Sequence, residues 1–400
     1  MPALTPAIRQ VTTRIGLVTT WAVLAAAVAG VLTWGSPGSR RAAPASRTIA
    51  IGTTATTATT ATIAPADAPA GPVADADAFL SRYVDSDGRV VRRDQGGDTV
   101  SEGQAYGMLL AVAVGDASRF AAIWRWTSAH LQLEDGLLAW HWESGRLVDA
   151  MPASDADLDA AFALDLASRR FASPGYVAAA VRIATAVMAL ETVSTAAGPV
   201  LVAGPWATGP PGVVEPGYFS PVAFTDLGRL TSDPRWTQLA ETSWSALSQM
   251  VTSGLPAEWA SISSDGVTVP IPPPSGGQVA FGLGAARSVV WYEASCAASD
   301  RSLSLRAWRF LEGDAAARNF AISLSLRGEP LTSQVNPVMA VAQAAAAGAA
   351  GHPDSANRLL GSARATVARF PTYYGSAWLA LGELVLESPS VGGCHPLQQR

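Results

Sequence analysis

The chain has 400 residues, of which 49% are hydrophobic and only 15% are charged, and its formal net charge is −5. This composition allows a large buried core, and the net negative charge argues against the basic surface that nucleic-acid binding needs. The absence of lysine argues against a lysine nucleophile or a lysine-based phosphate site. We therefore expect a globular protein that binds no nucleic acid.

The N-terminal part of the chain contains three segments that differ from the remainder. A basic segment at 1–14 precedes an uncharged apolar run at 15–34, and roughly 20 apolar residues can span a bilayer as a helix. We predict a transmembrane signal-anchor at 15–34, with a cleaved signal peptide as the alternative. The Ala/Thr/Pro-rich segment at 35–73 is predicted to be a linker, because it cannot bury enough apolar surface to fold. Both alternatives place the rest of the chain outside the cytoplasm, either anchored to the membrane or secreted.

From 74 to 393 the apolar residues recur at helical spacing, as Leu158, Phe162 and Leu166 do. We predict twelve helices, at 76–84, 102–115, 117–131, 155–171, 174–191, 218–230, 234–252, 284–298, 300–313, 334–349, 353–369 and 375–388. Twelve helices in pairs are what an all-α (α/α)6 barrel requires, with six inner helices, six outer helices and a site in the loops of one rim. We therefore predict one such domain at 74–393, followed by a C-terminal tail at 394–400.

Cys296 and Cys394 are the only cysteines, and neither lies in a CxxC or Cys/His metal pattern. Two free buried thiols are one alternative, and a disulfide that ties the tail to the core in an oxidising compartment is the other. No phosphate-binding loop, dinucleotide-binding context or Ser/His/Asp arrangement is present in the sequence. We expect no cofactor and no metal.

Two carboxylate clusters are the strongest functional signal. Glu102 lies at the start of a predicted helix, in the segment VSEGQAYGM, and Asp155 lies in the segment ASDAD. Together with 13 tryptophans, two such clusters suggest glycoside chemistry, in which an acid and a base act across one bond. In the simpler alternative, Glu102 only complements the helix dipole, which would lower its pKa. A catalytic Glu102 would need burial, or a nearby carboxylate such as Asp155, to raise that pKa again.

Trp140 lies in a predicted loop just before the ASDAD segment. Because aromatic faces stack on the apolar faces of sugar rings, we expect Trp140 to form a sugar platform. Most of the other tryptophans are expected to be ordinary core residues.

Six segments follow one another in a characteristic order: VSEGQAYGM at 100–108, DGLLAW at 135–140, ASDAD at 153–157, EPGYFSP at 215–221, GLPAEW at 254–259 and YYGS at 373–376. They resemble glycoside hydrolase family 8, whose members are inverting endo-β-1,4-glucanases, xylanases, chitosanases and lichenases on an (α/α)6 barrel. The fourth segment resembles the family's NPSYF(S)P and the fifth its GLVPDW. The resemblance extends over about 75–393.

The resemblance implies a role for each matching residue. Glu102 is the implied general acid, and Asp155 is the implied contact to the sugar at the cleavage point. Five residues are expected to bind substrate: the platform Trp140, Tyr218, Arg287, Tyr373 and Tyr374. We expect a monomer that takes a cellulose-like, β-1,4-linked polysaccharide.

The expected general base is missing. The family commonly has it as an Asp in a YDAxR segment, but residues 281–287 read FGLGAAR here, so that Gly284 stands in its place. Losing a general base typically costs about 10²–10⁴-fold in rate. Asp155, Glu258 and Asp265 are the candidates to replace it, but Asp155 is expected to hold sugar, which leaves Glu258 and Asp265. Gly284→Asp is expected to be sterically mild and to raise activity. The alternative function is a catalytically impaired carbohydrate-binding pseudoenzyme.

Overall fold

The computed structural model describes residues 71–394 and Leu397. In this part of the chain all twelve predicted helices are present. Their bounds are α1 Pro72–Tyr83, α2 Ser101–Val114, α3 Ala117–His130, α4 Ser154–Arg170, α5 Pro174–Leu190, α6 Pro221–Thr231, α7 Arg235–Val251, α8 Leu283–Ala294, α9 Ala298–Ala317, α10 Pro337–Ala349, α11 Pro353–Arg369 and α12 Tyr373–Glu387. The predicted segments 1–14 and 15–34, and nearly all of the predicted linker, lie outside the described residues. Within those residues no helix is long and apolar enough to cross a membrane.

Alternate helices form a closed inner ring. Helices α2, α4, α6, α8, α10 and α12 each contact the next one, and α12 contacts α2. The odd-numbered helices pack outside this ring, as α5 does against α4 and α11 against α10. The arrangement is the predicted (α/α)6 barrel.

Sequence pattern decides which helices lie inside. Helix α10 is apolar and small on every face, and it is buried continuously from Pro337 to Gly348. Helix α11 has a single apolar stripe, and its buried residues are Ala356, Leu359, Leu360 and Ala363. A helix that is apolar all round can only be stable inside the core, whereas a helix with one apolar face covers it from outside.

Ten short strands in four small sheets join the described helices on one rim, and no large sheet is present among them. Their bounds are β1 Thr99–Val100, β2 Ala139–Glu143, β3 Arg146–Pro152, β4 Thr192–Thr195, β5 Gly198–Leu201, β6 Gly212–Val214, β7 Trp259–Ile262, β8 Thr268–Ile271, β9 Phe281–Gly282 and β10 Ser323–Leu324. The antiparallel sheet β1-β2-β3 joins the start of α2 to that of α4, and β6-β7-β8 joins the connections before α6 and α8. The N-termini of the inner helices therefore meet on one rim.

Several predicted helix starts are wrong by a few residues. Pro72, Pro221 and Pro337 occupy the first helical position of α1, α6 and α10. Proline suits that position because its φ is already helical and its missing N–H is not needed there. Tyr218 therefore lies before α6, in a 3-10 turn, and not within a helix as predicted.

Cys296 and Cys394 form a disulfide. It joins the connection after α8 to the end of the described chain, so that the tail is tied to the barrel. The alternative of two free thiols is therefore wrong. Beyond it, the Leu397 amide donates a hydrogen bond to the Leu386 carbonyl at 3.0 Å.

Candidate active site

An open cleft of roughly 400 Å³ lies where the N-termini of the inner helices meet. Its walls come from the predicted catalytic segments and from the connections before α6 and α8. The charged and aromatic residues that line it are Arg92, Glu102, Asp155, Glu215, Glu258, Arg287, Trp140, Tyr218, Trp259, Tyr373 and Tyr374. The structure thus brings every predicted site residue except Asp265 to one cleft.

Arg287 is the electrostatic centre of the cleft floor. Helix α8 carries it into the barrel, where it is only 3% exposed. Its Nη1 donates to Glu102 Oε1 at 2.7 Å and to Asp155 Oδ2 at 2.9 Å, and its Nη2 donates to Glu215 Oε1 at 3.2 Å. One guanidinium cannot compensate three ionised carboxylates at low dielectric, and burial raises the pKa values of Glu102 and Glu215 in this cluster.

Glu102 lies in the first turn of α2, at the floor of the cleft. Its Oε1 also accepts a hydrogen bond from the Tyr106 hydroxyl at 2.8 Å, and Tyr106 in turn accepts one from the Trp378 indole at 2.9 Å. Burial raises the pKa of Glu102, and repulsion from Asp155 adds to this, while Arg287 acts in the opposite direction. A fixed carboxyl group with a raised pKa suits proton donation.

Gly284 does not leave an empty position. A Cβ on this residue would lie 2.1 Å from Glu215 Oε1 and 2.8 Å from Glu258 Oε1. Two carboxyl groups thus fill the space that a side chain at 284 would need. An aspartate at this position would therefore have to displace the carboxyl ends of Glu215 and Glu258, an effect that the sequence alone does not show.

Glu258 reaches this position from the connection between α7 and β7. Its carboxylate accepts hydrogen bonds from the Gly284 and Ala285 amides, at 3.1 and 3.3 Å. These amides are at the N-terminus of α8, where a negative charge is stabilised. Burial nonetheless raises the pKa of Glu258, and the backbone hydrogen bonds oppose that rise.

Glu215 is a site residue that the sequence prediction missed. It follows β6, is only 6% exposed and pairs with Arg287. Burial raises its pKa well above the usual range, opposed by Arg287 and reinforced by Glu258. One signal in the sequence could have indicated it. In EPGYFSP this chain has a carboxylate where the family's NPSYF(S)P segment has Asn.

Asp265 lies away from the cleft. It is fully exposed in the turn between β7 and β8, where it accepts a hydrogen bond from Ser263. The structure therefore does not bring this second candidate base to the site.

The aromatic side chains line the cleft around the acids. Trp140 is only 8% exposed and belongs to β2, which corrects the predicted loop, because β2 pairs with both β1 and β3. Tyr218 packs on Arg287, with 5.0 Å between the guanidinium carbon and the ring centroid. The Tyr373 hydroxyl and the Trp140 indole N–H have no hydrogen-bond partner in the described part of the chain. Both atoms are buried beneath the cleft surface.

Within residues 71–394 and Leu397, no group of three or more His, Cys, Asp or Glu residues is arranged to hold a metal ion. The four cleft carboxyl groups instead surround Arg287 and the N-terminus of α8.

The fold and the cleft together define a class: (α/α)6-barrel proteins with an acidic, aromatic-lined groove at one rim. The model of glycosyl hydrolases family 8 matches residues 42–318, and the chain belongs to that family. The family predicted from the six segments is thereby confirmed.

Curated relatives match part of the chain. It is 34% identical over 199 residues to a probable endoglucanase of Novacetimonas hansenii, covering 46% of this chain and 56% of that protein. It is 29% identical over 175 residues to endoglucanase A of Acetivibrio thermocellus, covering 42% of this chain and 36% of that protein. The chain thus spans about half the length, or less, of these curated relatives.

Solved structures match nearly the whole barrel. The endo-β-1,4-glucanase CMCax of Acetobacter xylinum superposes with a TM-score of 0.66 at 25% identity, covering 79% of this chain and 97% of that one. A β-1,3-1,4-glucanase of Paenibacillus sp. X4 superposes with a TM-score of 0.71 at 19% identity, covering 81% and 92%. The second likeness shows the fold alone.

Proposed function

We propose that this chain is an inverting glycoside hydrolase that cleaves a cellulose-like, β-1,4-linked glucan. The observation that carries the proposal is the Glu102 carboxyl group on the cleft floor, whose side chain is 24% exposed and is held by Arg287 and Tyr106 beside Asp155. Desolvation in the cleft raises its pKa, which favours the protonated form that a proton donor needs. The names of the relatives, endoglucanases and an endo-β-1,4-glucanase, support the substrate class.

In the proposed reaction the glucan lies along the cleft with the scissile bond above Glu102. Glu102 donates its proton to the glycosidic oxygen as the bond from that oxygen to C1 breaks, and the bonding electrons go to the oxygen. A water molecule on the opposite face of the ring attacks C1, so that the configuration there inverts. Asp155 accepts hydrogen bonds from the sugar at the cleavage point and repels the negative charge of ionised Glu102, which keeps the acid protonated.

Trp140, Tyr218, Tyr373 and Tyr374 are proposed to bind the glucan, since all four line the cleft. Arg287 is buried beneath the cleft and bonded to three carboxyl groups, so we assign it mainly to holding those groups in position.

We also propose that the barrel is a monomer that works outside the cytoplasm, attached through residues 15–34 or released by cleavage after them. The apolar run supports export, and so does the disulfide between Cys296 and Cys394, because disulfides persist in oxidising compartments. Membrane fractionation and N-terminal sequencing of the mature protein separate the two alternatives. Full-length protein in the cytosolic fraction would contradict both.

A second function has one specific observation in its favour, the glycine at position 284 where the family commonly has its base. It predicts a pseudoenzyme that binds glucan chains in the same cleft without cleaving them.

Measuring reducing-sugar release from carboxymethyl-cellulose, lichenan, xylan and chitosan distinguishes the two functions. We expect the native protein to cleave carboxymethyl-cellulose, and Glu102→Gln to lower that rate by about 10²–10⁴-fold because the amide has no transferable proton. Calorimetry should show that Glu102→Gln still binds cello-oligosaccharides. Native protein that binds these oligosaccharides but releases no sugar would support the pseudoenzyme, and an active Glu102→Gln variant would exclude Glu102 as the acid.

A further inference from the structure

We infer that Glu258 is the general base of this chain and that Glu215 positions it, the two together replacing the carboxylate that position 284 lacks. The inference rests on the proposed hydrolytic function. The inference goes beyond that function because it assigns the general base, a role for which the sequence left two candidates.

Steric complementarity is the first support. Glu215 Oε1 and Glu258 Oε1 lie 2.1 and 2.8 Å from the point that a Cβ on Gly284 would occupy. Real Cβ atoms do not come that close to a carboxyl oxygen, so a side chain at 284 would have to displace the carboxyl ends of both glutamates from their present positions. The missing aspartate and the two glutamates are therefore linked features of one site.

The residue types at the two glutamate positions give the second support. At both glutamate positions the family segments quoted above have a shorter residue, Asn in NPSYF(S)P and Asp in GLVPDW. One additional methylene at each position brings both carboxyl groups next to Gly284, and Glu258 also accepts hydrogen bonds from the α8 backbone. The glycine at 282 accommodates Glu258, since a Cβ there would lie 2.2 Å from Glu258 Oε2.

The hydrogen bonds decide which glutamate is ionised. Glu258 accepts two amide N–H groups at the N-terminus of α8, and both favour its charged form. Glu215 has no such backbone donors, is more deeply buried and has its pKa raised well above the usual range. Two carboxyl groups this close do not both ionise readily, so Glu258, with its two backbone donors, is the one of the pair that ionises more readily, although Arg287 also donates to Glu215.

Access decides which glutamate can act on water. The Glu258 residue is partly exposed and lines the cleft, whereas the Glu215 side chain is 7% exposed and paired with Arg287. Arg287 also contacts Glu102, so its guanidinium stands between the acid and Glu215. This leaves the Glu258 side of the cleft for the attacking water.

The step balances without any further reactant. The Glu258 carboxylate removes one proton from water while the water oxygen bonds to C1 of the sugar. The C1–oxygen bond breaks, and its electron pair goes to the glycosidic oxygen, which takes the proton of Glu102. Afterwards Glu258 is neutral and Glu102 is charged, and exchange with solvent restores both.

Comparing two substrates tests the assignment. β-Cellobiosyl fluoride needs no general acid because fluoride leaves unprotonated, but it still needs the base. We expect Glu258→Gln to lower the rates on carboxymethyl-cellulose and on the fluoride alike, by about 10²–10⁴-fold. Glu102→Gln should lower only the first rate strongly. Asp265→Asn, which removes an exposed carboxylate outside the cleft, is the matched control and should change neither.

A rescue experiment separates chemistry from misfolding. In Glu258→Ala, azide can enter in place of the water and attack C1 without a base, so added azide should restore consumption of the fluoride and yield α-cellobiosyl azide.

Glu215→Gln keeps the shape of a protonated carboxyl group and should lower the rate less than Glu258→Gln does. Circular dichroism of each variant checks its fold.

Three outcomes would overturn parts of this account in distinguishable ways. A Glu258→Gln variant with native rates on both substrates would exclude Glu258 as the base while leaving the hydrolase intact. A Glu215→Gln variant that loses both rates, with azide rescue of Glu215→Ala, would transfer the role to Glu215. Native protein inactive on both substrates would contradict the proposed function together with this inference.

Discussion

Glu102 shows how the surroundings of one side chain can outweigh its place in a helix. In the first turn of α2 the helix dipole should lower its pKa. The attraction of Arg287 should lower it as well. Burial and repulsion from Asp155 outweigh both effects, so the pKa of Glu102 is raised. The sequence could name these opposing effects but not their balance, because the balance depends on residues far along the chain, such as Arg287, whose Nη1 donates to Glu102.

The pH dependence of the rate should follow from the carboxyl groups of Glu102 and Glu258. Hydrolysis of carboxymethyl-cellulose needs protonated Glu102, so the rate should fall as pH rises through the raised pKa of Glu102. It also needs ionised Glu258, so the rate should fall as pH decreases through the pKa of that residue. We expect a bell-shaped profile of kcat/KM.

The fluoride substrate assigns the two limbs. On β-cellobiosyl fluoride the native protein should lack the alkaline limb, because fluoride leaves without the proton of Glu102, and should keep the acidic limb of Glu258. If the alkaline limb persists on the fluoride, the group that titrates there is not the general acid.

At the scale of elements, the helices could be predicted from the sequence and the small sheets could not. The helices follow from apolar residues at spacings of three and four, which is local information. The strands are two to seven residues long, and the pairings of β1 with β2, β6 with β7 and β9 with β10 join different connections. The sequence therefore predicts a loop at Trp140 and gives no site role to Glu215, because their surroundings form only when distant segments meet.

Substitutions at the N-terminus of α8 and in the connection before α6 should be energetically coupled. Gly284→Asp alone should lower activity, because its side chain conflicts with Glu215. Glu215→Asn removes that conflict and restores the residue of the resembling segment, so the double variant should be more active than Gly284→Asp alone. Rates of the native protein, both single variants and the double variant give the coupling free energy. Additive effects would contradict the proposed steric exclusion.

For the whole molecule, the disulfide is a constraint that the sequence left open. It joins Cys296 and Cys394 across 98 residues that include α9 to α12. A cross-link over so long a loop restricts the unfolded chain, and removing a native disulfide typically costs about 2–5 kcal/mol.

We therefore expect Cys394→Ser to lower the free energy of unfolding by about 2–5 kcal/mol, measured by urea titration. Dithiothreitol should destabilise the native protein by a similar amount and leave Cys394→Ser unaffected. Equal stability of native protein and variant without reductant would show that the cross-link does not stabilise the fold.

The central claim is that Glu102 and a separate base act from opposite faces of the sugar. Proton NMR of the first reducing ends that the native protein releases from a β-1,4-linked cello-oligosaccharide tests this most directly. The account predicts that the α-anomer is formed first and then mutarotates to the equilibrium mixture, because inversion at C1 follows from direct attack by water. Initial release of the β-anomer would contradict it, since that product requires a covalent intermediate on a carboxylate beside the acid.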